Sequence, residues 1–159
     1  MVDPIDTNEK VCMGGTFDPF HIGHEALLQK AIDISQKILI GLTTDKRATE
    51  TRPNSQIASY EDRKSRLESW LQSKDAFHKV EIVPLEDNWG PAALGENFEG
   101  IIVSQETEKM ASELNHVRKE SGVIPLEVIV VPMVDAYDGN RISSSRIRAG
   151  EIDSRGFKT

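Results

Sequence analysis

Short apolar runs rich in β-branched residues alternate along this 159-residue chain with stretches in which apolar residues recur at helical spacing. This alternation is typical of a parallel sheet whose strands are joined by crossover helices. Strands are predicted over 11–13, 38–42, 80–85, 101–103 and 128–131. Helices are predicted over 22–34, from Tyr60 to Leu71, from Thr107 to Val117 and near Ser143. We therefore expect one α/β domain, 1–159, with a Rossmann-like, doubly wound parallel sheet of about five strands.

The connections between the predicted strands indicate where a ligand binds. In a doubly wound sheet, ligands bind beyond the carboxyl ends of the strands, where the strand order reverses. Four segments are then expected around one crevice: 14–24, 43–47, 104–107 and 135–148. The polar residues 43–59 are predicted as a long loop, and loops of that length are often functional. An Asn-Trp-Gly-Pro turn is expected at 88–91, and flexible tails are expected at 1–9 and 154–159.

Charge and composition exclude several classes of protein. The formal net charge of −7 disfavours nucleic-acid binding, because proteins that bind nucleic acid usually present a basic face. The single cysteine, Cys12, excludes an internal disulfide, and no apolar stretch resembles a signal peptide or reaches membrane-spanning length. We therefore expect a cytoplasmic protein without nucleic-acid or membrane partners, and the lack of a long apolar stripe favours a monomer.

The segment after the first predicted strand reads G-G-T-F-D-P-F-H-I-G-H and contains the first candidate site. Gly14 and Gly15 are expected to let the backbone turn sharply and approach a ligand. His21 and His24 lie where a helix begins, and both imidazoles can reach one phosphoryl group and stabilise its charge as hydrogen-bond donors. Gly23, between them, is expected to leave room for a base or a phosphate.

Other interpretations of this segment are less favourable. Structural zinc wants four ligands, often with several cysteines, and the chain contains only Cys12. Cys12 itself lies inside an apolar run, where a buried hydrophobic role is commoner than a nucleophilic one. The phosphate-binding pattern G-x-x-x-x-G-K-[ST] and the dinucleotide fingerprint G-x-G-x-x-G are both absent.

A second polar segment near the C-terminus consists of Arg141, Ile142, Ser143, Ser144, Ser145, Arg146, Ile147 and Arg148. One serine hydroxyl is needed to cap the helix that begins here. Three consecutive serines followed by two arginines exceed that need and favour phosphate binding. Arg141, Arg146 and Arg148 are candidates for phosphate contacts and equally for surface cations.

These two segments resemble the signatures of the HIGH-type nucleotidyltransferase superfamily, G-T-F-D-x-x-H-x-G-H and I-S-S-S/T-x-I-R. The resemblance implies that residues 142–148 hold the β- and γ-phosphates of a nucleotide. It also implies an ATP site formed by Gly14, Gly15, Thr16, Phe17, His21, Gly23, His24, Arg141, Ile142, Ser143, Ser144, Ser145 and Arg148.

Further segments resemble the archaeal and eukaryotic type of phosphopantetheine adenylyltransferase, over about 10–153. They are G-G-T-F-D from Gly14, G-L-T-T-D from Gly41 with Ala48, Y-E-D-R-K from Tyr60, W-G-P-A from Trp89, V-S-Q-E-T from Val103 and P-M-V from Pro132. The chain departs from the bacterial type, whose basic I-R-G-L-R loop is replaced here by V-S-Q-E-T. Arg118, on the next predicted helix, is available to substitute for one of the bacterial arginines.

The resemblance implies that the phosphate of 4′-phosphopantetheine attacks the α-phosphate of ATP, with Mg²⁺ accompanying the nucleotide. No general base is required, because a phosphate monoester with a second pKa near 6 is largely ionised at neutral pH. The implied catalytic residues are His24, His21, Thr16 and either Lys46 or Arg47. The implied acceptor-binding residues are Thr16, Asp18, Thr43, Lys46, Arg47, Ser104 and Thr107. Asp18 is also a candidate for placing the metal ion or for capping the loop, and of these two roles the cap is preferred.

Two alternatives remain open at the level of sequence. One is transfer of a nucleotidyl group to another acceptor, as by a nicotinamide mononucleotide adenylyltransferase or a cytidylyltransferase. The other is a nucleotide sensor that keeps the fold and lacks the chemistry. The presence of His21, His24 and the serine run argues against a sensor.

Overall fold

The computed structural model describes residues 10–51, 56–87 and 98–159. In these ranges the strands are β1 (Lys10–Gly15), β2 (Lys37–Thr43), β3 (Val80–Leu85), β4 (Gly100–Ser104) and β5 (Glu127–Val131). The helices are α1 (Ile22–Ile34), α2 (Asp45–Thr51), α3 (Tyr60–Ser73), α4 (Glu108–Glu120) and α5 (Ser144–Arg148), with a 3-10 turn at Phe77–Lys79. The predicted bounds of α1 and β3 are confirmed, and the other four strands extend further at their ends than predicted.

The strands form one parallel sheet in the order β3-β2-β1-β4-β5. The chain runs outward from β1 through β2 to β3, then crosses to the other side of β1 to add β4 and β5. The strand order therefore reverses between β1 and β4, and a binding crevice is expected beyond the carboxyl ends of these strands. The predicted doubly wound α/β fold is confirmed.

Alternate residues of the central strands face two apolar layers, as expected for a sheet covered on both faces. Val11 and Met13 of β1 pack in a layer with residues of α1 and α3, whereas Cys12 packs in a second layer with Leu114 of α4. Burial raises the pKa of the Cys12 thiol to about 12. Cys12 is therefore a small buried apolar residue and not a nucleophile, as predicted.

The predicted loop over 43–59 is wrong in its first half, where residues Asp45–Thr51 form α2. The Thr44 hydroxyl accepts a hydrogen bond from the Arg47 N–H at 3.2 Å, which caps this helix at its N-terminus. Ala48 is buried and anchors the helix against the rest of the protein. The prediction failed because the segment is polar in composition, and over 45–50, where burial is described, Ala48 alone is a buried side chain.

The predicted C-terminal tail, 154–159, is also wrong. Its backbone is hydrogen-bonded to the body of the protein, since the Ile22 N–H donates to the Ser154 carbonyl and the Tyr137 N–H to the Gly156 carbonyl. Ile152 and Lys158 form an isolated antiparallel bridge. The predicted tail at 1–9 and the turn at 88–91 lie outside the described residues. Within the described ranges, no helix has the length and hydropathy needed to cross a bilayer.

Candidate active site

A cavity of about 330 Å³ opens beyond the carboxyl ends of β1, β4 and β5, where the strand order reverses. The predicted site residues that line it are Gly14, Gly15, Thr16, Phe17, Asp18, His21, Gly23, His24, Ser104, Thr107, Arg141, Ile142, Ser143, Ser144, Ser145 and Arg148. The two sequence segments therefore converge on one cavity, as predicted. Thr43, Lys46 and Arg47 do not line it.

The turn that leads from β1 into the cavity lies later than predicted. Gly14 and Gly15 belong to the extended strand, and the turn follows at Phe17, which adopts a φ of 54°, and at the cis peptide bond before Pro19. A Cβ on Gly14 would lie 3.1 Å from a Leu85 methyl group. The Leu85 side chain, on the edge strand β3, therefore leaves little room for a side chain at Gly14 of the central strand β1. The glycine is not required by a turn of the backbone at this position.

His21 and His24 hold each other in place at the start of α1. The Nδ1 atom of His21 accepts a hydrogen bond from the Gly23 N–H at 3.0 Å, and Nδ1 of His24 accepts from the His21 N–H at 3.2 Å. The two rings stack with their centroids 3.8 Å apart. Because each Nδ1 accepts, each imidazole is neutral with its proton on Nε2, which is then the nitrogen available to donate to a ligand.

Burial of His21 reinforces this protonation state. Burial lowers the pKa of His21 from 6.5 to about 4, so its imidazole is neutral at neutral pH. The ring is only 7% exposed and serves as the N-cap of α1. His21 is thus a neutral donor in the wall of the cavity and, at the same time, the residue that fixes His24.

Gly23 leaves space as predicted, but the group that fills the space is not a ligand. A Cβ at this position would lie 2.7 Å from Cε1 and 2.9 Å from Nδ1 of His21, and 3.3 Å from a methyl group of Ile142. The missing side chain therefore leaves room for the His21 imidazole rather than for a base or a phosphate.

The three consecutive serines, 143–145, make different contacts. Ser143 is the N-cap of α5, because its hydroxyl accepts from the Arg146 N–H at 3.2 Å. The Ser144 hydroxyl donates to the Pro19 carbonyl at 3.3 Å and links α5 to the turn after β1. Ser145 is exposed and lines the cavity. All three serines border the cavity, so their predicted nearness to His24 is confirmed.

The arginines separate in the same way. Arg141 forms an ion pair with Glu106 at the cavity wall. Arg148 also lines the cavity, and its guanidinium donates to the Asp18 carbonyl at 3.1 Å. Arg146 turns away to Asp138 at 2.5 Å and to Glu151 at 3.4 Å. The hydrogen bond that its guanidinium donates to the Asp138 carboxylate raises the pKa of Arg146. Arg146 is therefore a structural cation.

Arg118 does not substitute for the bacterial arginines at the cavity. It is fully buried, its Nε donates to the Ile124 carbonyl at 2.9 Å, and it is not among the residues that line the cavity. Because this side chain supports the connection between α4 and β5, the interpretation of Arg118 as an available phosphate ligand is wrong.

Arg63 of α3 is a buried functional candidate that the sequence analysis did not identify. Arg63 is buried together with Leu67 and Leu71 on one face of α3. Its guanidinium donates to the Thr16 carbonyl at 3.3 Å and to the Thr43 hydroxyl at 3.1 Å. The i, i+4, i+8 spacing of these three residues was the available signal.

The residues predicted to bind the acceptor lie partly at the cavity and partly outside it. Asp18 accepts from the Ala58 N–H at 2.8 Å, so its carboxylate caps the segment before α3, as the preferred interpretation proposed. Ser104 and Thr107 line the cavity with their hydroxyl oxygens 3.4 Å apart. Lys46 is exposed on α2, and Arg47 is partly buried there. The choice between these two cations stays a prediction.

Comparison with known proteins identifies the family. The cytidylyltransferase-like family matches residues 12–150 of the chain. Phosphopantetheine adenylyltransferases from Methanopyrus kandleri and Methanothermobacter thermautotrophicus are 40% and 42% identical to it. The alignments cover 94% and 92% of this chain, and 94% and 87% of those relatives. The chain belongs to the phosphopantetheine adenylyltransferase family.

A solved structure agrees with this assignment. A protein of unknown function from Archaeoglobus fulgidus is 32% identical and superposes with a TM-score of 0.68. The match covers 77% of this chain and 97% of that protein. The relatives and the family match confirm the resemblance to phosphopantetheine adenylyltransferases that the sequence motifs indicated, and with it the nucleotidyltransferase class.

The described residues around the histidine pair offer few ligands for a metal ion. In the described ranges, no group of three or more His, Cys, Asp or Glu side chains is placed to hold a metal ion. A structural zinc ion requires four such ligands. The zinc interpretation of His21 and His24 therefore has no support in this part of the chain.

In this adenylyltransferase, replacing Gly23 by alanine is expected to destabilise the fold by about 1–3 kcal/mol and to lower kcat, because the added methyl group displaces the His21 ring. Thermal unfolding and pyrophosphate release measure the two effects. In a His21→Ala background the methyl group meets no ring, so Gly23→Ala should then cost much less. Equal costs in both backgrounds would contradict the steric explanation.

The low pKa of His21 predicts a pH dependence of stability. The unfolded chain takes up a proton on this residue near pH 6.5, but the folded protein does so only near pH 4. The contribution is fully present above pH 6.5 and is lost as the pH falls from 6.5 to 4, which is about 2 kcal/mol between pH 7 and pH 5. His21→Asn keeps a capping oxygen but does not titrate. Its unfolding free energy, measured in denaturant, should decline less over this range, and parallel curves would contradict the assignment.

Proposed function

We propose that this chain transfers the adenylyl group of ATP to the phosphate of 4′-phosphopantetheine, giving dephospho-coenzyme A and pyrophosphate in coenzyme A biosynthesis. The observation that carries the proposal is the convergence of His21, His24 and the serine segment 143–145 on one cavity at the reversal of strand order. The acceptor follows from the name of the relatives, which are about 40% identical over more than nine-tenths of the chain.

The transfer needs alignment and charge stabilisation rather than proton abstraction. An oxygen of the acceptor phosphate forms a bond to the α-phosphorus of ATP, and the bond from that phosphorus to the bridging oxygen breaks as pyrophosphate leaves. The acceptor phosphate is already largely ionised at neutral pH, so no base must deprotonate it. Catalysis then depends on positioning the two phosphates in line and on donors aimed at the transferring group.

The donors are the Nε2–H groups of His24 and His21. Both imidazoles are neutral with Nδ1 occupied, so each presents a fixed N–H without the need to lose or gain a proton. We assign His24 to the transferring phosphoryl group and His21 to a supporting contact from the same side. Preorganised donors of this kind stabilise charge that develops in the transition state without reorganisation at the moment of reaction.

The nucleotide and the acceptor occupy different walls of the cavity in this proposal. Ser144, Ser145, Arg141 and Arg148 line the side formed by α5 and the segment before it, and we assign them to the β- and γ-phosphates. The Thr16 hydroxyl, at the end of β1, orients the acceptor phosphate.

The remaining acceptor contacts lie further along the sheet. Ser104 and Thr107 are placed to meet the acceptor arm at the end of β4. Lys46 or Arg47 reaches the acceptor phosphate from α2 when substrate is bound.

Mg²⁺ is proposed to arrive with ATP rather than on protein ligands. Among the described residues, the two carboxylates that line the cavity are already engaged, since Asp18 accepts from the Ala58 N–H and Glu106 pairs with Arg141. Mg²⁺ commonly keeps several waters and binds through substrate phosphates. The metal would neutralise phosphate charge there, and no step of the proposal depends on a protein-bound metal.

The test is an acceptor comparison. The protein is incubated with ATP, Mg²⁺ and either 4′-phosphopantetheine or nicotinamide mononucleotide, and pyrophosphate release is followed with mass spectrometry of the products. Release of pyrophosphate with a product of the mass of dephospho-coenzyme A supports the proposal. Release with nicotinamide mononucleotide alone would overturn the acceptor, and ATP binding without any release would favour a sensor.

A further inference from the structure

Arg63 is a buried arginine that the proposed mechanism does not use. It is 2% exposed, and its guanidinium donates to four oxygens in four different segments. These are the Ala58 carbonyl at 2.9 Å, the Thr16 carbonyl at 3.3 Å, the Thr43 hydroxyl at 3.1 Å and the Asp45 carboxylate at 3.1 Å. One side chain therefore joins the end of β1, the end of β2, the start of α2 and the segment before α3.

The ion pair between Arg63 and Asp45 differs from the threonine contacts in its exposure to solvent. The Arg63 side chain is 1% exposed but that of Asp45 is 64% exposed, so solvent at the carboxylate weakens the attraction between the two charges. The contacts with Thr16 and Thr43 are buried, where a hydrogen bond is stronger and its loss more costly. A function of Arg63 beyond stabilising the fold therefore depends on its hydrogen bonds to Thr16 and Thr43.

The threonine contacts have a direction. A guanidinium donates hydrogen bonds and cannot accept them, so the Thr43 hydroxyl oxygen must accept from Arg63. The Thr43 hydroxyl then donates its own hydrogen to the Thr16 hydroxyl oxygen at 2.9 Å. Since the Thr16 oxygen accepts from Thr43, the hydrogen of the Thr16 hydroxyl is directed to an atom other than Thr43. Thr16 lines the cavity.

We infer that Arg63 is a positioning residue for the transfer: through Thr43 it fixes the Thr16 hydroxyl as a donor toward the acceptor phosphate. The inference rests on the proposed function and extends it to a residue outside the cavity wall. Without Arg63, the Thr43 hydroxyl is free to rotate and accept from Thr16 instead. Thr16 then points its hydrogen at Thr43 and presents an oxygen lone pair to an anionic phosphate.

Two pairs of variants test this inference. Thr43→Val keeps the shape of the side chain and removes the donor to Thr16, whereas Thr43→Ser keeps the hydroxyl. Arg63→Met removes the guanidinium, and Arg66→Met removes a charge from an exposed position of the same helix as a control. We expect kcat to fall by about tenfold or more in Thr43→Val and Arg63→Met, and by less than about threefold in Thr43→Ser and Arg66→Met.

Separate readouts distinguish positioning from a structural role. ATP binds the opposite wall of the cavity, so its dissociation constant should change by less than about threefold in every folded variant, while kcat falls. In the double variant Thr43→Val/Arg63→Met, kcat should equal that of the less active of the two single variants, because both changes interrupt the same chain of hydrogen bonds. Multiplying losses, or equal losses of kcat and ATP affinity, would overturn the inference.

The outcome remains decisive if Arg63→Met does not fold. Circular dichroism and thermal unfolding identify that case, and the comparison of Thr43→Val with Thr43→Ser then decides alone. Equal kcat in those two variants would overturn the inference. Failure of the proposed function is distinct, because the unmodified protein would then release no pyrophosphate with 4′-phosphopantetheine.

Discussion

Replacing His24 by alanine is expected to lower kcat for pyrophosphate release by about a hundredfold or more, while ATP affinity falls much less. The Nδ1 atom of His24 is occupied by the His21 N–H, so the ring presents a single Nε2–H to the cavity. That donor meets charge which develops only as the α-phosphate is transferred. Its loss therefore acts on the transition state more than on bound ATP, and steady-state kinetics with a direct measurement of ATP binding separates the two.

His116 supplies the matched control for this prediction. Its side chain is 71% exposed on α4 and pairs with Glu120 on the surface. His116→Ala should leave both kcat and ATP binding within about twofold of the unmodified protein, since an exposed pair contributes little. If His24→Ala reduces ATP binding as much as it reduces kcat, then His24 is a binding residue and its assignment to the transferring group is wrong.

The sheet could be predicted because its signals are local. The apolar run of β2 reads as a strand covered on both faces, and Leu39 and Ile40 do face opposite layers of the core. Helix α1 was predicted with correct bounds from apolar residues at helical spacing, namely Ile22, Ala26, Leu27, Ala31 and Ile34. Ala31 and Ile34 of this set are buried. The order of the strands could be anticipated only as a class, since the reversal between β1 and β4 depends on contacts distant in sequence.

Elements with little apolar content were not predictable in this way. Helix α2 buries Ala48 but otherwise consists of polar residues, so hydrophobic periodicity carries almost no signal for it. The Thr44 cap was the remaining clue. The segment 154–159 was mistaken for a tail because its order comes from backbone hydrogen bonds to Ile22 and Tyr137, which composition does not reveal.

The membership of the site was predictable, whereas the partner of each side chain was not. The sequence motifs correctly predicted that His24 and Ser144 line the same cavity. It could not show that the space at Gly23 belongs to the His21 ring, because that depends on an imidazole rotamer. Nor could it separate Arg146 from Arg148, since both follow the serines by a few residues and only the folded neighbours differ.

This difference between the two arginines leads to the second large expected effect. Arg148→Met should raise the KM for ATP by about tenfold or more, because a charged hydrogen bond to a phosphate oxygen contributes about 1.5–3 kcal/mol. Arg148 lines the cavity, and the contact it makes with the Asp18 carbonyl places its guanidinium beside the turn after β1. Initial rates at varied ATP concentration and saturating acceptor provide the measurement.

Arg146→Met is the matched comparison, two positions away on the same short helix. Its guanidinium is held by Asp138 and Glu151 and also donates to the carbonyls of Asn140 and Arg141. Because these groups belong to the connections before and after α5, loss of the Arg146 guanidinium should lower the unfolding temperature. The KM for ATP should stay within about twofold at physiological salt, where distant charges are screened. A tenfold rise in KM for both variants would mean that net positive charge near α5, and not a specific contact of Arg148, determines the affinity for ATP.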